Sequence, residues 1–85
     1  MYTAVLSKPS AKYLENLPLK QAELIIDKVE DLRREPFQNS ISLQGPLRDL
    51  RRSKAGKFRI IFELVESKKE IIIKAIGPRG DIYKR

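Results

Sequence analysis

Apolar residues recur along this chain with two periods, one typical of a helix and one typical of a strand. Between residues 18 and 35 they fall three and four positions apart, at Ala22, Ile25, Ile26, Val29 and Leu32. This spacing predicts a helix that starts at Pro18 and turns its apolar side to the core. The helix has to end by Glu35, because Pro36 cannot donate the next backbone hydrogen bond.

A short strand and a shorter helix are predicted ahead of this one. Residues 2–7 alternate in a way that suits a strand. Ser7 can cap a helix with its hydroxyl and Pro9 fits in the first turn. We therefore expect a helix from this point to about Leu17.

The period of apolar residues becomes two after a loop at residues 37–46. Three strands are predicted from it, at residues 47–53, 57–65 and 71–76. A turn at residues 54–56 joins the first two strands, and a charged tip at residues 66–70 joins the last two. The whole order is strand, helix, helix, strand, strand, strand.

This order predicts an α+β fold in which a small antiparallel sheet has the N-terminal helix pair packed on one face. Eighty-five residues are expected to make one domain, spanning residues 1–85. The sheet face turned away from the helices is then available for function.

The composition excludes several classes of protein. There is no cysteine and no histidine, so disulfides, thiolate nucleophiles and the usual zinc ligand sets are ruled out, and we expect no metal and no cofactor. No apolar run exceeds three residues, far below the roughly 20 that span a bilayer. With no recognisable export signal, the expected location is the cytoplasm, away from membranes.

Charge is distributed unevenly along the chain. Residues 1–46 hold six Lys/Arg and six Asp/Glu, whereas residues 47–85 hold twelve against five, which accounts for the net charge of +7. Positive charge gathered on one structural unit attracts polyanions through counterion release. The predicted strands of the C-terminal half are therefore a candidate surface for nucleic acid.

Arg59 is the most informative single residue, because it interrupts an otherwise apolar strand. Across the predicted hairpin, the pleat puts either Arg52 and Lys54 or Arg51 beside it. An anionic ligand explains this arrangement. A structural ion pair of Arg59 with Glu63 or another carboxylate also explains it, since arginine is a common ion-pair partner.

A glycine-containing loop follows the last predicted strand. Gly77 and Gly80 allow a tight turn and exposed backbone amides. The loop would bring Arg79 and Tyr83 towards residues 50–62, which we call the basic hairpin. The segment also fits an ordinary turn, in which Tyr83 packs in the core rather than stacking on a base or transferring a proton.

Together these segments resemble the RelE/ParE superfamily of toxins from toxin–antitoxin modules, and more closely its RelE branch of ribosome-dependent mRNA endonucleases. The resemblance covers nearly the whole chain. It is carried by residues 6–11, 17–18, 43–47, 52–62 and 76–83. The most specific part is the glycine, aromatic and arginine pattern of the basic hairpin, combined with the terminal arginine and tyrosine.

The resemblance implies a set of catalytic residues: Arg52, Lys54, Arg59, Arg79 and Tyr83. Arg59 and Arg79 correspond to the arginines that bind and stabilise the scissile phosphate. Tyr83 corresponds to the tyrosine that stacks on or activates the nucleotide. The remaining two occupy the basic positions of the family's second strand.

One departure from the family pattern concerns the general base. A lysine that some members use falls at Leu50, so Arg48 or Arg51 would have to take its place. With Lys57, these two arginines are the predicted RNA-binding residues.

The chemistry of the reaction indicates why a ribosome is needed. Attack of an RNA 2′-hydroxyl on the adjacent phosphate requires a base, neutralisation of the phosphorane and an acid. Arginine neutralises charge well but is a poor base, since its pKa lies far above neutral pH, and the ordinary pKa values of tyrosine and lysine also lie well above it. Without histidine, the protein is predicted to depend on the ribosome to orient its substrate.

Two other functions remain open from the sequence. A ParE-like inhibitor of DNA gyrase would keep the fold and change the target, and a non-catalytic basic module would only bind nucleic acid. The implied partners of the RelE-like protein are a RelB-like antitoxin, the ribosome and mRNA. Operator DNA is expected to be reached only through the antitoxin complex.

Overall fold

The computed structural model describes residues 1–47 and 49–78. Over these residues the chain forms two α-helices and five strands: β1 Thr3–Leu6, α1 Lys8–Glu15, α2 Leu19–Arg34, β2 Ile41–Ser42, β3 Leu50–Ala55, β4 Phe58–Val65 and β5 Glu70–Pro78. Short 3₁₀ turns occupy Gly45–Leu47 and Glu66–Lys68. Three predicted site residues, Arg48, Arg79 and Tyr83, lie outside the described residues.

Both helices start where the sequence predicts and α2 also ends there, whereas α1 ends at Glu15, two residues before the predicted end. The Ser7 side chain accepts a hydrogen bond from the Ser10 backbone N–H at 3.2 Å and so caps α1, with proline in the first turn. The longer helix, α2, ends at Arg34, two residues before Pro36. Within the described part of the chain, neither helix is long and apolar enough to cross a membrane.

The five strands form one mixed sheet in the order β1-β5-β4-β3-β2. The antiparallel pairing predicted for the three long strands is confirmed, and β2 also pairs antiparallel with β3. The prediction is wrong for β1, which runs parallel to β5. The physical reason is the connection: β1 is followed by two helices rather than a hairpin turn, and such a crossover leaves parallel pairing possible.

The boundaries of the basic hairpin differ from the predicted ones. The structure starts β3 at Leu50, three residues later than expected, and extends it to Ala55. A two-residue turn of Gly56 and Lys57 then leads into β4. Gly56 has a positive φ of 61°, a conformation that glycine adopts without a steric cost.

The core lies between the helices and one face of the sheet, as predicted. It is built from Ile25 and Leu32 of α2 and from inward residues of the strands: Ala55, Phe58, Ile60, Phe62, Ile71, Ile73 and Ile76. Tyr13 of α1 packs edge-on against Phe58, with ring centroids 6.2 Å apart. We call this side of the sheet the helix-covered face.

Candidate nucleic-acid interface

The opposite face of the sheet carries three of the predicted catalytic residues. The β3–β4 register pairs Lys54 with Arg59 and Arg52 with Ile61. Directly opposed residues of antiparallel strands point to the same side, so Arg52, Lys54 and Arg59 share the face turned away from the helices. We call it the basic face, and this register resolves the sequence alternatives in favour of Arg52 and Lys54.

Arg59 is nearly buried although it is charged, with 8 % of its surface exposed. Lys54 is its direct cross-strand neighbour. Like charges in this position repel each other. At the same time, partial exclusion of water strengthens the attraction of a guanidinium for a phosphate.

Arg51 lies on the helix-covered side, opposite Phe62 in the register. Its guanidinium donates hydrogen bonds to Ser40, from Nε to the hydroxyl at 2.7 Å and from Nη2 to the backbone carbonyl at 3.1 Å. It also lies 5.0 Å from the centre of the Phe37 ring. Arg51 therefore holds the loop after α2 against the sheet, and its predicted contact with RNA stays a prediction.

The remaining predicted residues lie around the turn and the end of β5. Lys57 sits in the β3–β4 turn with its ammonium 5.5 Å from the Phe58 ring centre. On the other side of β4, Gly77 is the register partner of Arg59. The last described residues of β5 therefore run beside Arg59, just before Arg79 in the sequence.

Sequence reasoning missed Lys74, which an irregularity in β5 puts on the basic face. The β4–β5 register shifts between Ile61, paired with Ala75, and Phe62, paired with Ile73, so Lys74 is the extra residue. Its ammonium lies 3.7 Å from the Glu63 carboxylate. The signal was present in the sequence, because core residues Ile73 and Ile76 are three positions apart where regular alternation requires two.

A family model matches residues 6–83 of the sequence, and its description is the ParE toxin of type II toxin–antitoxin systems, parDE. The match includes both helices and the entire basic hairpin. The chain belongs to this toxin family. No curated protein matches the toxin's sequence at a significant level.

Solved structures of RelE proteins share the toxin's fold. The RelBE2 toxin–antitoxin complex of Mycobacterium tuberculosis matches with a TM-score of 0.84 and 20% identity, over 92% of this chain and 98% of the other. The archaeal RelE–RelB complex of Pyrococcus horikoshii gives 0.79 and 28%, over 94% and 97%. Isolated Escherichia coli RelE gives 0.77 and 17%, over 92% and 84%.

These matches confirm the resemblance found in the sequence. The toxin is a member of the RelE/ParE superfamily with the α+β fold of RelE. The family model carries the ParE name and the structural matches carry the RelE name. The comparisons therefore agree on the superfamily and differ on the branch.

Proposed function

We propose that this toxin is a ribosome-dependent mRNA endonuclease whose active site lies on the basic face. The observation that carries the proposal is the opposed pair of Lys54 and Arg59. Two cations on neighbouring strands of one face attract a polyanion more strongly than either does alone. Arg52 extends the positive charge along β3 on the same face.

The proposed reaction is a transesterification, in which the phosphate exchanges its bond to the 5′-oxygen for a bond to the 2′-oxygen. The 2′-oxygen of one nucleotide attacks the adjacent phosphorus and gives up its proton to a base. The bond from phosphorus to the 5′-oxygen then breaks, and an acid protonates that oxygen. The products are a 2′,3′-cyclic phosphate and a 5′-hydroxyl end.

Each proposed residue has a task suited to its chemistry. Arg59, with Arg79 as the resemblance implies, neutralises the charge that develops on the phosphorane. Lys54 and Tyr83 are the members of the proposed set that can transfer a proton, and Arg52 binds a phosphate of the same strand. Because no histidine is available, orientation of the mRNA by the ribosome supplies the rest of the rate.

The test is primer extension on a defined mRNA incubated with purified toxin, with and without programmed ribosomes. We expect discrete cuts only with ribosomes and no cuts with Arg79→Ala. The downstream fragment should accept phosphate from polynucleotide kinase without prior dephosphorylation, because its end is a 5′-hydroxyl. Rapid, unspecific cutting of naked RNA, or 5′-phosphate ends, would contradict the proposed mechanism.

The second candidate function is inhibition of DNA gyrase, which the ParE description of the matching family model favours. A supercoiling assay with purified gyrase distinguishes the two functions. Loss of supercoiling without mRNA cuts would replace our proposal, whereas cuts with normal supercoiling support it. A basic module that only binds nucleic acid would give neither result.

We also propose that an antitoxin binds this toxin, since similar RelE proteins are found in complexes with RelB. Apolar side chains are exposed on α2, with Leu19 73% and Leu24 47% accessible. The partner we expect is therefore partly apolar and, given a toxin charge of +7, partly acidic. Operator DNA would be bound through that complex.

A further inference from the structure

A cleft opens at the edge of the sheet beside the basic face. Its volume is about 310 Å³, and it lies between α2, the loop that follows this helix, and β3. The described residues that line it are Lys28, Gln38, Asn39, Ser40, Ile41, Arg52, Ser53 and Lys54. The cleft exists because β2 pairs only with Arg51 and Arg52, so β3 continues beyond the end of its neighbour.

The loop wall of the cleft is fixed by hydrogen bonds. Ser53 Oγ donates to the Asn39 backbone carbonyl at 2.7 Å, which attaches the loop to β3. The Asn39 amide donates to the backbone carbonyls of Asp31 at 3.2 Å and Glu35 at 2.9 Å, which attaches it to the end of α2. A site held in this way needs little reordering when a ligand binds.

The lining of the cleft has the charge and surface that suit a nucleotide. Three of its described residues are cations and none is acidic, so a phosphate is attracted both from α2 and from β3. Ile41 leaves 52% of its surface exposed and offers an apolar contact for a base. Gln38 adds an amide side chain, which can both donate and accept hydrogen bonds.

We propose that this cleft binds one nucleotide of the mRNA strand that flanks the cut. The inference rests on the proposed function, and it adds a substrate subsite to it. Arg52 and Lys54 belong to both the cleft and the basic face, so one RNA strand can cross from Arg59 into the cleft. Lys28 holds the phosphate from the helix side, Ile41 supports the base and Gln38 hydrogen-bonds its edge.

Binding is tested without any cleavage, by NMR titration of ¹⁵N-labelled toxin with AMP, GMP, CMP, UMP and inorganic phosphate. We expect saturable shifts at residues 38–41 and 53–54, with a nucleotide bound more tightly than phosphate. If inorganic phosphate bound as tightly as the nucleotides, the cleft would be an anion site that does not recognise the base. Shifts spread over the whole basic face, or none, would overturn the subsite.

Lys28 and Lys20 provide a matched pair, since both lie on α2 but only the partly buried Lys28 lines the cleft. Loss of a charged hydrogen bond to phosphate weakens binding about tenfold, so we expect this for Lys28→Gln. Lys20→Gln should bind as the unmodified toxin does. An equal loss in both variants would mean that only the overall charge matters, and would contradict the subsite.

Cleavage on programmed ribosomes separates failure of the subsite from failure of the proposed function. We expect Lys28→Gln to raise KM several-fold, roughly in line with its binding loss, while kcat is retained. Gln38→Ala should alter the preference for the base next to the cut. If the toxin cuts mRNA and both variants behave as the unmodified protein, the subsite is wrong and the endonuclease proposal stands. If the cleft binds nucleotides but the toxin never cuts mRNA, the endonuclease proposal is wrong and the cleft is still a nucleotide site.

Discussion

The two faces of β4 differ in what they contribute to the molecule. Phe58, Ile60 and Phe62 point to the helix-covered face and are 2% exposed or less. Arg59, Ile61 and Glu63 alternate with them on the basic face, where Ile61 is also buried. One strand therefore carries both core residues that stabilise the fold and charged residues on the opposite face.

The comparison teaches where substitutions should act on stability and where they should act on function. On the helix-covered face, close packing makes every removed methylene group costly. On the basic face, the opposed cations Lys54 and Arg59 repel each other and attract an anionic ligand. Substitutions on the helix-covered face should lower the free energy of unfolding, and substitutions on the basic face should mainly lower activity.

The largest effect on stability is expected from Phe62→Ala, because Phe62 is fully buried in the core. Removal of a buried phenylalanine ring costs about 3–5 kcal/mol, a large share of the roughly 5–10 kcal/mol available to a domain of this size. Urea unfolding followed by circular dichroism measures the loss. Phe62→Leu, which keeps most of the volume, serves as the control. A loss under about 1 kcal/mol for Phe62→Ala would mean that this face is not the close-packed core.

A smaller loss of stability is expected from Gly56→Ala, in the turn that joins β3 and β4. A non-glycine residue in the left-handed region costs about 1–2 kcal/mol, and φ is 61° at this position. A Cβ atom would also meet Leu24 Cδ1 at 3.1 Å. Leu24 is half exposed and can move, so the added cost is small.

Gly45→Ala is the matched control for this turn. Gly45 has a similar φ of 67°, but a Cβ atom there meets nothing within 4 Å. The difference in the free energy of unfolding between the two variants isolates the contact between the hairpin and α2. If Gly45→Ala is the more destabilising of the two, that contact does not restrict the turn.

Ser7→Ala should cost about 1 kcal/mol, the typical value for loss of an N-cap. The Ser7 hydroxyl also donates to the Lys74 backbone carbonyl at 3.1 Å and so connects α1 to the irregular part of β5. Thermal unfolding measures the cost. Ser7→Asn retains a capping side chain and should recover most of the stability; failure to recover it would assign the loss to the Lys74 contact instead.

The smallest effect has the opposite sign, and it tests the basic face directly. Lys54→Gln removes one of two opposed like charges, so the free energy of unfolding should rise by about 0.2–1 kcal/mol. The gain should shrink at high salt, which screens the repulsion. Activity should fall in the same variant. A loss of stability at low salt would show that Lys54 is held by a favourable interaction and that the faces do not differ as described.

The sequence predicted the elements whose signals are local. Proline positions and apolar spacing placed α2 within one residue at each end, because both act within a few residues along the chain. The alternation of apolar and polar residues likewise predicted β4 and the side of this strand on which Arg59 lies. The two-residue strand β2 was missed, since two residues are too few to show a period.

Non-local features were harder to predict. Parallel pairing of β1 with β5 depends on a partner almost 70 residues away. The choice between Arg51 and Arg52 depends on the turn, because a shift of one residue in register moves every side chain to the other face. The structure has the turn at Gly56 and Lys57, whereas the sequence predicted it at residues 54–56. Lys28 is a polar residue of an amphipathic helix, and only the position of the following loop makes it part of a cleft.

The central claim is that RNA cleavage depends on the basic face, and single-turnover cleavage of a defined mRNA on programmed ribosomes tests it most directly. We would compare Arg59→Ala with Arg34→Ala, an exposed arginine at the end of α2, at equal concentrations of folded protein. Loss of one charge-stabilising donor lowers the rate about 10²–10³-fold, and we expect this for Arg59→Ala. Arg34→Ala should stay within about twofold of the unmodified toxin. A folded Arg59→Ala variant that cuts at the unmodified rate would contradict the account.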